Sequence, residues 1–495
     1  MSSPSHQTSD SAANQPRSSL APVPRYSYYA LALLSVVNFL NYIDRQVLPA
    51  VAPLMLRDEK LRLTDSELGY IEAALLLSFT FLAPLFGRLG DRRPRAKLMA
   101  TAAVIWSVAT AATSVVDQIT FLPASVNLYL PLFRVTLTMS GAALALCFVR
   151  AFVGVGESAY STITPSLIAD YFPPHRRATA LGVFQSAIPI GFALGFVIGG
   201  VLAHFFGWRA AFTIVGVPGL IMAVLVWRLR EPVRGATDLP VEAQASGGEE
   251  KARANSDAEP DFARASESWW RVSLSILRTR DWLLSTIGYT MLTAALGAFA
   301  TWATVLLVRD KGMSETGAAI TLGVVVLLAG ATGTFGGGWL SDRLVARRRN
   351  AYFLVCAVST LLGVVPTLVA IASPDPRVYL PAITIAVALL FTSNAPFHAI
   401  LLESVPTAMR AMAVALNIVV IHAFGDAISR AAVGVLSDTL KDGGLAPLAA
   451  AARMVGIDPV THHLSAALLI APLALILSTL FFFWGARSGS KAKAD

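Results

Sequence analysis

Charged residues are scarce in this sequence. They make up 14% of the 495 residues, whereas hydrophobic residues reach 55%. A typical soluble domain carries about 25% charged residues. The chain therefore has too little charge to cover the surface of a soluble protein of this length, and much of its surface is predicted to face the interior of a membrane.

Cysteines and cofactor motifs are equally sparse. The two cysteines, Cys147 and Cys356, lie far apart in apolar runs, so no disulfide framework is predicted. The sequence contains no cluster of metal-ligand residues, no phosphate-binding glycine loop and no catalytic dyad. We therefore expect no cofactor, no metal and no enzymatic activity, and we do not expect ATP-driven transport.

The net charge is +8, which taken alone is compatible with a nucleic-acid partner. The basic residues, however, cluster in short segments between apolar runs, which is the pattern of membrane topology. We expect no nucleic-acid partner. Residues 1–27 lack the apolar segment that a cleaved signal peptide requires, and are predicted to form a disordered cytoplasmic tail.

Twelve apolar runs are long enough to cross a bilayer. A hydrocarbon core about 30 Å thick requires roughly 20 mostly apolar residues in a helix. Lipid cannot satisfy free backbone groups, so spanning segments of this kind are helical. The sequence thus predicts an all-α membrane protein. The twelve predicted transmembrane helices are 28–50, 67–87, 97–116, 140–163, 178–203, 208–228, 282–306, 315–340, 351–372, 379–402, 410–436 and 463–485.

Lysine and arginine are concentrated in alternate connections between the spans, which predicts the orientation of the chain. With the N-terminus inside, the strongly basic connections are all cytoplasmic. We expect a multi-pass protein of the cell membrane with both termini in the cytoplasm. The basic residues that predict this orientation are Arg88, Arg92, Arg93, Arg95, Lys97, Arg176, Arg177, Arg343, Arg347, Arg348, Arg349, Arg410, Arg487, Lys491 and Lys493.

The predicted domain organisation is two helical bundles joined by a polar linker. Residues 231–267 have no periodic apolar pattern and are predicted to be disordered. A segment rich in Trp and Arg follows, which is typical of a short helix in the cytoplasmic headgroup layer; the alternative is an extension of span seven. External connections 117–139 and 438–462 are long. The units are a tail at 1–27, an N-terminal six-helix bundle at 28–228, the linker at 229–281, a C-terminal six-helix bundle at 282–485 and a tail at 486–495.

A short motif occurs once in each half. The copies are Gly87-Arg-Leu-Gly-Asp91-Arg92 after span two and Gly338-Trp-Leu-Ser-Asp342-Arg343 after span eight. Matched motifs in matched loops indicate two duplicated halves. We interpret the glycines, aspartates and arginines of both copies as a conformational switch whose contacts form in only one state. The alternative is a plain positively charged cytoplasmic loop.

These residues resemble known families. The segment Gly87–Lys97 resembles the signature loop of the major facilitator superfamily. Asn41-Tyr-Ile-Asp-Arg45 and Arg150-Ala-Phe-Val-Gly-Val-Gly-Glu157-Ser-Ala-Tyr resemble, more narrowly, the spinster family. The resemblance implies the major facilitator fold, with two six-helix pseudo-repeats around a central cavity. It also implies transport of lysophospholipids or sphingosine-1-phosphate-like lipids with proton coupling.

Ionisable residues inside the spans are functional candidates, because each costs about 2.5–3.5 kcal/mol at the bilayer centre. Arg150 and Glu157 are two helical turns apart, about 10 Å along the axis, which is too far for an ordinary salt bridge. A buried arginine suits a phosphate or carboxylate. The alternative is mutual neutralisation of buried charges. We assign proton coupling to Asp44 and Glu157, and substrate binding to Arg150, Arg45, Asn41 and Tyr160.

Span eleven carries a second group of polar residues. His422, Asp426 and Arg430 follow one another at intervals of four residues. An acid four residues before a base favours a local ion pair, so Asp426 and Arg430 are predicted to neutralise each other. His422 is predicted to be a packed histidine rather than a proton carrier. In span ten, Pro396 among polar residues predicts a kink.

Taken together, the sequence and the resemblance predict a proton-linked secondary carrier that works by alternating access. The expected substrate is an amphiphilic lipid with an anionic or zwitterionic headgroup, and we expect a monomer surrounded by membrane lipids. One alternative keeps the fold and changes the substrate to a small organic anion or a drug. The other is a membrane sensor or scaffold that transports nothing.

Overall fold

The computed structural model describes residues 23–119, 123–130, 135–234, 271–345, 347–348, 350–406 and 409–488. Most of the predicted N-terminal tail, the linker residues 235–270 and the last residues of the C-terminal tail lie outside this part. The disorder predicted for the linker and the tails therefore stays a prediction.

Five long helices form the N-terminal half. The second begins at a capping box, in which Thr64 and Glu67 each accept a hydrogen bond from the other's backbone N–H. The fifth carries predicted spans five and six and turns at Gly207, whose φ of +80° is one that glycine adopts readily. The helices are α1 (Arg25–Leu56), α2 (Asp65–Arg92), α3 (Arg95–Thr113), α4 (Gly141–Tyr171) and α5 (Pro174–Trp227).

The connection between α3 and α4 contains the two strands of the described chain. A 3-10 turn at Val116–Gln118 is followed by β1 (Val126–Leu130) and β2 (Val135–Met139). The strands are antiparallel, with Val126 opposite Met139. The prediction of an all-helical membrane protein is therefore confirmed for the spans, while part of the long 117–139 connection forms a hairpin that sequence analysis did not predict.

The C-terminal half begins with a separate short helix. Thr279, with φ −74° and ψ 113°, interrupts the helical backbone between residues 271–278 and the next helix, so this segment is not a simple extension of span seven. Two π-helical turns, Leu306–Asp310 and Ile421–Ala427, lie within longer helical runs. The helices are α6 (271–278), α7 (Arg280–Val305), α8 (Glu315–Val345), α9 (Ala351–Ala372), α10 (Pro376–Thr392), α11 (Asn394–Glu403), α12 (Arg410–Val420), α13 (Ile428–Lys441), α14 (Ala446–Met454), α15 (His463–Ala467) and α16 (Ile470–Ser488).

The number of spans agrees broadly with the prediction. Among the described residues, ten helices are long and apolar enough to cross a membrane. One of them, Thr179–Trp227, contains predicted spans five and six, and α1 is not among the ten. The predicted kink in span ten corresponds to the break between α10 and α11 at Ser393.

The halves pack together at one end. We call the end where residues 57–64 connect α1 to α2 the outer end, and the end that carries Gly87–Lys97 the inner end. One apolar cluster near the outer end joins both halves, with Met55 and Leu61 on one side and Trp302 and Leu440 on the other. The two described clusters that reach the inner end each contain residues of a single half. This conformation is therefore closed at the outer end.

Candidate functional site

Arg45 and Glu157 form an ion pair between α1 and α4. Both Nε and Nη2 of Arg45 donate to Glu157 Oε2, at 3.0 and 2.5 Å. The Arg45 guanidinium also lies over the rings of Tyr42 and Phe79, 5.2 and 4.9 Å from their centroids. Arg45 is thus neutralised by Glu157 rather than by its neighbour Asp44.

Asp44 is a buried carboxylate with one free oxygen. Its side chain is 1% exposed, and Oδ2 accepts a hydrogen bond from Thr110 Oγ1 at 2.5 Å. Oδ1 has no hydrogen-bond partner within the described residues. Arg150, Glu157 and Arg45 all lie within electrostatic reach of this group. The two predicted proton-coupling carboxylates therefore lie in one charged cluster, with different local partners.

Arg150 is held by a carboxylate that sequence analysis missed. Its side chain is fully buried, and Nη2 donates to Glu72 Oε1 on α2 at 3.4 Å. Nε and Nη1 have no partner in the described part of the chain. As expected, Glu157 is not its ion-pair partner. Glu72 lies inside predicted span 67–87, so the rule that ionisable residues within spans are functional candidates would have identified it.

The same carboxylate binds an arginine of the other half. Arg430 Nη1 donates to Glu72 Oε2 at 2.5 Å and to Thr301 Oγ1 at 2.9 Å. The predicted Asp426–Arg430 pair is therefore wrong, because Asp426 Oδ2 instead contacts His422 Nδ1 at 2.9 Å. That prediction assumed a regular α-helix, whereas His422 and Asp426 lie in the π-helical turn Ile421–Ala427.

His422, predicted to be a packed histidine, has a polar partner and a partly exposed ring. Its side chain is 25% exposed and its ring lies edge-on to Phe79, 6.1 Å away. Asp426 in turn lies within electrostatic reach of Arg45. The C-terminal half thus places the His422–Asp426 pair opposite the Arg45–Glu157 pair.

Asn41 and Tyr160, the two remaining residues predicted to bind substrate, differ in whether their donor groups are free. Asn41 is 3% exposed, and its Nδ2 has no partner among the residues described. Tyr160 is buried beside Trp106, and its hydroxyl donates to the Leu34 carbonyl at 2.5 Å. Asn41 can therefore offer a donor to a ligand, whereas Tyr160 joins α4 to α1 in this conformation.

The two repeat motifs lie at the inner end, each in its own half. Arg234 donates to the backbone carbonyls of Gly90, Asp91 and Arg93, with 2.7 Å to Gly90. The side chains of Asp91 and Arg92 are exposed. In the second copy, Asp342 and Arg343 are exposed too, and the Arg343 guanidinium lies 4.1 Å from the Trp339 ring centroid. A switch that joins the motifs to the opposite half would require another conformation.

At the outer end, polar contacts join the halves directly. Arg309 donates to both oxygens of Asp65, at 3.0 and 2.9 Å. Asp438 Oδ2 accepts from the Ser66 backbone N–H at 2.7 Å and its hydroxyl at 2.6 Å. These contacts, with Glu72–Arg430 below them, close the outer end over the charged cluster.

Comparison with known proteins gives consistent matches. The family model described as Major Facilitator Superfamily matches residues 34–429. "Protein spinster homolog 3" of Danio rerio is 31% identical over 477 residues, which cover 92% of this chain and 84% of the relative. "Protein spinster homolog 1" of Homo sapiens is 32% identical over 437 residues, covering 84% and 74%.

Solved structures match the fold. The crystal structure of a bacterial homolog to human lysosomal transporter, spinster, in an inward-facing and unoccupied conformation has a TM-score of 0.74 at 20% identity, covering 95% of this chain and 99% of that one. A D-xylose-proton symporter has a TM-score of 0.66 at 17% identity, covering 92% and 97%. At these identities the likeness establishes a shared fold.

Proposed function

Because this chain belongs to the spinster family of the major facilitator superfamily, we propose that it is a proton-coupled secondary carrier that works by alternating access. Proteins of this family are multi-pass membrane transporters, and this chain is a transporter rather than an enzyme. We place it in the cell membrane as a monomer. Both termini are assigned to the cytoplasm, since the basic residues follow the positive-inside pattern.

The proposed substrate is an amphiphilic lipid with an anionic or zwitterionic headgroup, such as a lysophospholipid. One observation carries this proposal: fully buried Arg150 has two N–H-bearing nitrogens, Nε and Nη1, without partners in the described chain. A buried cation with free donors favours an anion that accepts hydrogen bonds, and the guanidinium fork suits a phosphate. Arg45, Asn41 and the aromatic rings beside Arg45 supply further contacts for a polar headgroup.

The charges of the cluster support the proposed proton coupling. Arg45, Arg150 and Arg430 are opposed by Asp44, Glu72 and Glu157, so the cluster is balanced when all three carboxylates are ionised. Protonation of Asp44 leaves one positive charge in excess beside Arg150, which favours binding of one anionic headgroup. The His422–Asp426 pair lies on the opposite wall. Proton and substrate affinities are then linked reciprocally.

Flux in proteoliposomes tests this function. Labelled lysophosphatidylglycerol and a labelled small organic anion are followed with and without a pH gradient. We expect lysolipid flux that the gradient accelerates, and we expect Asp44→Asn to keep substrate binding while losing that acceleration. Glu157→Gln should lose part of it, because it removes the carboxylate that pairs with Arg45 in the same charged cluster. Glu315→Gln, at a partly exposed carboxylate outside the charged cluster, is the control and should behave as the unmutated protein.

The results distinguish the alternatives. Flux of the organic anion alone would replace the lipid substrate on the same fold. Absence of flux for every probe would favour a sensor or scaffold. Normal gradient-driven flux in Asp44→Asn, Glu157→Gln and the double variant would refute the coupling assignment and leave Asp44 as a structural partner of the arginines.

A further inference from the structure

Glu72 is shared between two arginines that belong to different halves. Its Oε1 faces Arg150 of the N-terminal half at 3.4 Å, and its Oε2 faces Arg430 of the C-terminal half at 2.5 Å. Thr301 of the C-terminal half also donates to Oε2 at 3.4 Å. Glu72 is 2% exposed and Arg430 6% exposed, so solvent screens these charges little.

The helices around this bridge are in direct backbone contact. A Cβ atom added to Gly69 would lie 2.6 Å from the Arg430 carbonyl oxygen and 2.9 Å from Ala431 Cα. The short Glu72–Arg430 contact therefore depends on α2 and α13 touching at the outer end. In carriers of this fold the halves move largely as rigid bodies, so outer opening must separate Glu72 from Arg430 while Glu72 and Arg150 stay together.

We propose that Glu72 is an exchangeable partner of Arg150, shared with Arg430 while the outer end is closed and transferred to Arg150 alone when that end opens. The inference rests on the proposed binding of an anionic headgroup at Arg150. In the closed state the stronger hydrogen bond of Glu72 goes to Arg430, so Arg150 is open to an anion. In the opened state Glu72 competes with the headgroup for Arg150.

The exchange gives the two faces of the carrier different headgroup affinities. Headgroup affinity is higher when the cavity is open at the inner end and lower when it is open at the outer end. By linkage, a bound anion on Arg150 favours the arrangement in which Glu72 stays with Arg430. Glu72 is thus a positioning residue that weakens headgroup binding when the outer end opens and so favours release there.

Two variants at the bridge separate gating from binding. Spin labels at exposed Glu59 and Asp442 report the distance across the outer rim. Glu72→Gln and Arg430→Gln both remove the charged bridge, so each should raise the ratio of outer-open to outer-closed protein about tenfold. Glu315→Gln, which removes the exposed Arg57–Glu315 contact between the same halves, should change the ratio less than twofold.

Affinity for labelled lysophosphatidylglycerol in lipid nanodiscs should move in opposite directions. Glu72→Gln removes the competitor of the headgroup and should tighten binding severalfold, whereas Arg430→Gln leaves Glu72 entirely to Arg150 and should weaken it severalfold. Both variants are expected to open the outer end to a similar extent. A shift between conformations would therefore change the affinity of both variants in the same direction, and it cannot explain affinity changes of opposite sign. Arg430→Lys, which keeps the charge, should shift both quantities in the same direction as Arg430→Gln but less.

Either of two results would overturn the inference: an unchanged rim distance in both bridge variants, or affinity changes of the same sign. A failure of the unmutated protein to bind lysolipid would instead refute the proposed substrate. The spin-label distances across the outer rim are measured without substrate. They therefore still test whether Glu72 and Arg430 hold the outer end closed.

Discussion

The two halves repeat each other in architecture and differ in chemistry. Both carry the Gly-x-x-x-Asp-Arg motif at the inner end, but the N-terminal half supplies most of the central charge through Arg45, Arg150 and three carboxylates. The C-terminal half faces this cluster with Arg430, the His422–Asp426 pair and neutral polar groups, among them Tyr289, whose hydroxyl donates to Asn394 Oδ1 at 3.0 Å.

This difference suggests separate roles for the halves, with the proposed binding of headgroup and proton in one and closure of the outer end shared by both. An ionisable residue in a span is costly, and the N-terminal half bears that cost where the headgroup and proton are proposed to bind. On the opposite wall, buried Arg430 pairs with Glu72 in the bridge that closes the outer end. The two halves therefore share one helical framework, while the proposed binding groups are concentrated in one half and the outer-end contacts involve both.

The largest expected effect comes from removing the central cation of the N-terminal half. Arg150→Ala should lower lysolipid affinity about 100-fold, because truncating one partner of a buried charge pair costs about 2–5 kcal/mol. Arg150→Lys should lower it about tenfold, since the two-pronged donor geometry is lost while the charge remains. Equilibrium binding to purified protein in nanodiscs measures both.

Exposed Arg57→Ala is the matched control and should bind normally. Near-normal affinity in folded Arg150→Ala would mean that the N-terminal half does not hold the headgroup through this residue. The charge difference between the halves would then be structural rather than functional.

A smaller effect is expected where the halves are most alike. Asp91→Asn should shift the protein towards the inner-open state about threefold, equivalent to about 0.7 kcal/mol. The shift is expected because we predict that the exposed carboxylate makes a contact only when the inner end is closed. Spin labels at exposed Lys97 and Arg347 report the distance across the inner rim.

Asp342→Asn in the second copy gives the symmetric test. A similar shift would show that the repeats act as equivalent switch elements, and a shift in one variant alone would extend the asymmetry to the inner end. If both distributions match that of the unmutated protein, the motifs serve only as positively charged topology signals.

The features that could be predicted from the sequence are those that depend on a local pattern of residues. Hydropathy located the spans, the motif pair indicated the duplication, and membership of the spinster family is confirmed by the comparisons. Asp44, Arg45, Arg150 and Glu157 were identified because charge inside an apolar run is conspicuous, and the structure brings them into one cluster. Their assigned roles stay predictions.

Pairings between distant segments were not predictable in this way. Arg430 is 358 residues from Glu72 along the chain, and helical periodicity contains no information about which helix of the other half lies opposite. The local rule at four-residue spacing consequently assigned Arg430 to Asp426. A π-helical turn, which depends on tertiary packing, lies within the segment where that rule was applied.

A further small effect is expected at the outer ends of the first helix in each half. Asp58, just after α1, accepts from Arg209 Nη1 at 2.8 Å and Trp208 Nε1 at 3.0 Å. Asp310, at the end of the run that begins with α7, accepts from the Ser465 backbone and hydroxyl, at 3.1 and 2.5 Å. The N-terminal connection is thus held by a short ion pair with Arg209, whereas Asp310 is held by Ser465 and lies 3.6 Å from Nε of its neighbour Arg309.

The ion pair makes the N-terminal connection sensitive to acid. Burial raises the pKa of Asp58, but hydrogen bonds from Arg209 and Trp208 outweigh it and lower the pKa to about 2 from 3.8. A lowered pKa in the fold means that the stabilisation is present above about pH 4 and is lost as the pH falls towards 2. Asp58→Asn should therefore lower the free energy of unfolding at pH 7 by about 0.5–1 kcal/mol, as for a partly exposed pair, and by less at pH 3. Denaturant unfolding in detergent at the two pH values measures the difference. An equal loss at both would show that the charge of Asp58 does not contribute to the stability of this connection.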